Sequence, residues 1–140
     1  MPERKLFQIK YLHLITGIIV FIVFVITGRF MRWDFPDKEI IPPEFRILMR
    51  SRHIYILFSA LLHLLLGVYL QIFPKIWRKS LQILGSVLLI SASGFLIWGF
   101  VHETYFAKTF SDISRWGIYL SLAGGGFHLI GGLFAKNERQ

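Results

Sequence analysis

The chain contains no cysteine. Disulfides, thiolate zinc sites, iron–sulfur ligation and covalent haem attachment through a Cys-x-x-Cys-His run are thereby excluded. Charge is missing where it matters most. No Asp, Glu, Lys or Arg falls within the apolar cores around residues 11–28, 53–73, 81–101 and 116–135. Coupled transporters and proton pumps usually need such a group at mid-depth, and none lies between Lys10 and Arg29. No Ser–His–Asp set, phosphate loop or His-Glu-x-x-His helix is present, and His102-Glu103 is an isolated pair. Hydrolytic chemistry is therefore disfavoured.

What is present is apolar. Hydrophobic residues make up 54% of the 140, with 14 Phe and a mean hydropathy of +0.56. Runs near 20 residues are too long and unbroken for amphipathic soluble helices. The expected fold is all-α: a polytopic membrane protein with four transmembrane helices in an up–down bundle, one membrane domain over 1–140. Spans are expected at about 6–28, 53–73, 81–101 and 116–135. The connection 29–52 is polar and carries Pro36, Pro42 and Pro43. Pro43 suits a first helical turn, so residues 44–52 read as an interfacial helical turn or an extension of span two. Ser80 reads as the N-cap of span three. Trp and Tyr cluster near the span ends, where amphipathic rings prefer to lie.

The formal charge of +8 sits in short segments between the spans. The lipid bilayer and its anionic headgroups are the expected partners. Nucleic acid is not, because no compact basic domain exists to bind it. The expected location is a bacterial inner membrane with both termini on one side. The 16 basic residues divide evenly between the two sides, eight and eight. The short turn with Lys75, Arg78 and Lys79 favours cytoplasmic termini.

Small residues recur at helical spacing: Gly85, Ala92 and Gly99 in span three, Ala60 and Gly67 in span two, and many glycines in span four. Such stripes allow helices to approach closely in lipid. Three histidines sit on or beside them. His13, His63 and His128 each begin a His-Leu-[Ile/Leu]-x-Gly run. A glycine one turn away clears space for a planar group or for another helix. At ~1.5 Å per residue, His13 and His128 lie about 10 Å in from the terminus-bearing face, with His63 slightly deeper. Neutral imidazoles at one level could ligate haem iron axially. The expected pair is His13 with His128, and the rival is His63 with His128. Hydrogen bonding to nearby Ser, Thr or backbone carbonyls is the competing role.

Four features resemble the bacterial four-helix membrane b-type cytochromes that exchange electrons with quinone or superoxide. They are Tyr11-Leu12-His13-Leu14, Thr27-Gly28, His53 opening span two, and His128 in the second half of span four. The resemblance implies haem b held by His13 and His128. It also implies that Arg50 and Arg52, beside His53, meet a haem propionate, a role that lipid phosphate fills equally well. The chain departs from that pattern at Leu14, where the family has Trp, and at Ser114, where it has a further histidine. Three functions follow. The first is a non-enzymatic binding or structural component, with a membrane protein partner or self-association. The alternative is a b-type haem electron carrier, and the third a small transporter.

Overall fold

The computed structural model describes residues 2–37, 40–71, 73, 75–109 and 111–133. Four helices account for nearly all of them. Helix α1 covers Pro2–Asp34, α2 Pro43–Tyr69, α3 Ile76–Val101 and α4 Asp112–Leu133. Among the described residues three helical stretches are long and apolar enough to cross a membrane: Ile9–Asp34, Pro43–Tyr69 and Ile76–Ala107. Helix α4, 22 residues long, is not among them. Ala135 and the tail Lys136–Gln140 lie outside the described residues.

Local chemistry explains the boundaries. Helix α2 begins at Pro43, whose fixed φ and missing N–H suit the first turn. Residues 44–52 therefore extend α2. Helix α3 starts at Ile76 with Lys75 at the cap position. Ser80 does not cap it, because its hydroxyl donates back to the Ile76 carbonyl at 3.0 Å from one turn inside. Beyond α3 the chain widens into a π-helical segment, His102–Ala107, and leaves it through Lys108 in the left-handed region at φ 52°. That widening re-aims the side chains of Glu103 and Thr104 into the protein, where both are fully buried.

The distribution of surface is inverted relative to a protein folded in water. Ile15, Ile19, Ile22 and Val25 of α1 are about half exposed, while His13 on the same helix has no exposure. Ile54, Leu65 and Val68 of α2 are likewise outward, and His63 is fully buried. Apolar surface this continuous is what membrane-crossing helices present.

Glycines set the helix separations. A Cβ on Gly17 would meet the Leu64 backbone at 2.9 Å, and one on Gly67 would meet the Leu14 backbone at 2.8 Å. Helices α1 and α2 thus pass nearly backbone to backbone. In the α3–α4 pair, a Cβ added to Gly85 or to Gly124 would stand 2.8 Å from the other's carbonyl oxygen, and one on Gly117 would meet Leu96. Contacting positions run in opposite order along neighbouring helices: 13 with 63 and 27 with 53, then 59 with 93 and 52 with 103. Between the two polar levels these contacts define lies an apolar layer of Val20, Ile56, Ala60 and Phe100.

Gly67→Leu and Gly124→Leu should each lower stability by ~1–3 kcal/mol through overpacking against backbone. Gly94→Ala and Gly125→Ala, where an added Cβ meets nothing within 4 Å, should be neutral or stabilising by up to ~1 kcal/mol. Thermal unfolding of the four variants in detergent distinguishes these outcomes. Equal effects would contradict the packing described.

Candidate functional site

Three histidines converge at one level inside the bundle. His13 of α1 and His63 of α2 meet through their Nδ1 atoms at 2.7 Å, one ring donating and the other accepting. Their ring centroids are 4.9 Å apart. His128 of α4 stands edge-on to His13 with centroids 5.8 Å apart. The sequence-predicted residues His13, His63 and His128 are thus brought together by three different helices.

Two serines of α3 complete the layer. Ser86 Oγ lies 2.8 Å from His13 Nε2 and 3.2 Å from His128 Nε2. Ser93 Oγ lies 2.9 Å from His63 Nε2 and 2.7 Å from Ser59 Oγ. Each serine also reaches a carbonyl one turn back, Ser86 to Gln82 at 2.8 Å and Ser93 to Leu89 at 3.1 Å. The result is one chain through all four helices: His128, Ser86, His13, His63, Ser93, Ser59.

Proton counting shows what this chain can do. A neutral imidazole carries one N–H and one acceptor nitrogen, and a hydroxyl carries one O–H. In one arrangement Ser59 donates to Ser93, Ser93 to His63 Nε2, His63 Nδ1–H to His13 Nδ1, and His13 Nε2–H to Ser86. Reversing every step gives a second arrangement, in which His128 donates to Ser86 and His63 Nε2–H donates to Ser93. In both, every nitrogen of His13 and His63 is paired and no charge is created. The chain has two hydrogen-bond polarities, so His13 and His63 stay fully paired in either set of tautomers.

The same geometry bears on haem. An axial pair stands on opposite sides of a macrocycle, but His13 and His63 touch each other directly. The Nε2 atoms of His13 and His128 do aim at one point, and the Ser86 hydroxyl occupies it. Iron there would require Ser86 to turn away. The space beside Gly17 and Gly67 is filled by the partner helix, through Leu64 and Leu14. Among the described residues no group of three or more His, Asp or Glu is disposed to hold a metal ion.

His53 and His102 stand apart from this layer. His53 Nδ1 pairs with the Thr27 hydroxyl at 3.1 Å, and its ring stacks on Phe24 with centroids 4.1 Å apart.

The second polar level was not anticipated. Arg52 Nε donates to Glu103 Oε2, and both side chains are buried. Glu103 Oε1 accepts from the Ser111 hydroxyl at 2.7 Å and from the Ser114 amide at 3.2 Å. Arg52 therefore turns into the bundle and not toward a propionate or phosphate. The α2 start, the π-helical segment and the first turn of α4 are tied at one carboxylate. The sequence signal was an Arg and a Glu each bordering an apolar run on helices that must neighbour one another.

Removing one partner of either polar level should cost more than removing an exposed polar group. Ser86→Ala leaves His13 Nε2 and His128 Nε2 without their hydroxyl and should cost ~1–3 kcal/mol. Glu103→Gln leaves the Arg52 guanidinium buried without its charge partner and should cost ~3–5 kcal/mol. The double substitution Arg52→Met/Glu103→Leu should recover most of that loss. Ser80→Ala, at an exposed position, should stay within ~0.5 kcal/mol. A Ser86→Ala protein as stable as the parent would show that the chain holds nothing together.

No protein-family model matches this chain, and no curated protein or solved structure matches it either, so its geometry alone carries the functional reading.

Proposed function

We propose that the chain is a four-span, up–down membrane bundle acting as a non-catalytic binding or structural component. Its imidazole–hydroxyl layer sets which helix faces meet. The observation that carries this reading is the internal use of the histidines. All four ring nitrogens of His13 and His63 are taken by other groups of the bundle. Opposed contact order along neighbouring helices supports the up–down path, and α4 packs along α3 closely enough to share its depth. The proposed location is a bacterial inner membrane with cytoplasmic termini. Gly94, Gly125, Gly126 and Gly132 have nothing within 4 Å of an added Cβ. That openness supports membership of a larger membrane assembly or a self-association.

A b-type haem carrier is the second reading. The convergence of His13 Nε2 and His128 Nε2 on one point favours it.

The absence of native cysteine makes topology directly measurable. Single substitutions Asp37→Cys and Lys108→Cys should be labelled by an impermeant maleimide from one side, and Ser80→Cys and Lys136→Cys from the other. Lys136→Cys labelling together with Lys108→Cys would remove α4 from the spans. The reduced-minus-oxidised spectrum of the purified protein decides between the two functions. A colourless preparation is expected. Haem b bands lost in both His13→Ala and His128→Ala would replace the first reading with the second.

A further inference from the structure

At the far end of α1 from the histidine layer, a cleft of about 210 Å³ opens between α1 and the start of α2. Its polar lining is three cationic arginines, Arg32, Arg46 and Arg50, with the imidazole of His53. Its apolar walls include Met31, Phe35 and Met49. A second cavity adjoins it through Gly28, Arg32 and His53, and adds Arg29 and Trp33. No carboxylate lines either cavity among the described residues. Arg32, Arg46 and Arg50 make no ion pair there either; the described ion pairs belong to Arg52 and Arg115.

We infer that this cleft binds a phosphate-type anion, and that its occupant is the headgroup of an anionic phospholipid. Three guanidiniums around one hollow repel one another unless an anion sits among them, and planar guanidiniums match phosphate oxygens in paired hydrogen bonds. The backbone keeps part of the cleft clear. Gly28 lines it with no side chain, and a Cβ there would stand 3.2 Å from His53 Nε2. His53 Nδ1 is engaged by Thr27, whose own hydroxyl donates to the Phe24 carbonyl, and this orients the ring at the cavity wall. The walls argue for lipid over a soluble anion. Methionine and phenylalanine beside the arginines suit glycerol and the first acyl carbons, which a free phosphate lacks. The cleft also lies where the apolar run of α1 ends, beside the exposed Trp33, at the depth of headgroups. Only the lipid source rests on the span reading; the anion site itself does not.

Native mass spectrometry in neutral detergent tests this, with dioleoyl phosphatidylglycerol, dioleoyl phosphatidylcholine and inorganic phosphate as separate probes. A one-to-one phosphatidylglycerol adduct is expected at about tenfold lower concentration than the phosphatidylcholine adduct. Arg32→Gln/Arg50→Gln should weaken it by about tenfold or more. Gly28→Leu keeps every charge but fills part of the cleft, and should weaken it comparably. Lys75→Gln/Lys79→Gln, at the other end of the bundle, should not. An adduct with inorganic phosphate at equal concentration would keep the site and assign it to a soluble anion. Retention of the adduct in both cleft variants, or no adduct at all, would overturn the inference. If cysteine labelling contradicted the spans, the phosphate arm would still report on the site.

Discussion

A polar group buried among apolar helices has no water to fall back on, and this constraint organises the molecule. Each buried imidazole must find its partners within the bundle or stay unmade at a cost of ~1–3 kcal/mol. His13 and His63 meet that demand through each other and two serines of α3, and His128 meets it at Nε2 alone. The requirement is directional, so it specifies rotation and register of the helices as well as their contact. Apolar contacts could not do the same, because they carry no such direction.

The bundle is built in levels. One level is the imidazole–hydroxyl chain, satisfied without charge. The next is the apolar layer around Val20, Ile56, Ala60 and Phe100. The third is the Arg52–Glu103 pair, charged and fully enclosed. The π-helical segment makes that third level possible by turning Glu103 and Thr104 inward just where α3 ends. Glycines fix the distances across which all three levels must reach. Gly17 and Gly67 bring α1 to α2, and Gly85 and Gly124 bring α3 to α4. The polar groups then select among the many rotations that such close approach would allow.

This division separates two chemistries at opposite ends. Toward the chain termini, His13 and His63 are fully buried and internally bonded, and the half-buried His128 joins them through Ser86. At the other end, the arginines of α1 and α2 part company. Arg52 is drawn inward by a buried carboxylate, while Arg32, Arg46 and Arg50 border an open cleft. One sequence neighbourhood thus supplies both a structural ion pair and a cationic surface, and the helical rotation between positions 50 and 52 decides which arginine does which.

The helical class and three membrane-competent stretches were legible from composition and run length, because hydrocarbon leaves few alternatives to a self-satisfied helix. The inward placement of His13, His63 and His128 was legible from their position beside small residues. What those histidines touch was not. Imidazole partners depend on rotations set by Gly17 against Leu64 and Gly85 against Gly124, contacts between residues far apart in the chain. Ser80 looked like a cap, yet α3 starts a turn earlier and its hydroxyl serves the helix interior. Arg52 looked like its neighbour Arg50, and only the arrival of Glu103 from another helix separates them. Local periodicity states which face is buried; which polar group waits on the opposing face is settled by tertiary packing, since that partner is chosen by geometry across helices and not by spacing along one.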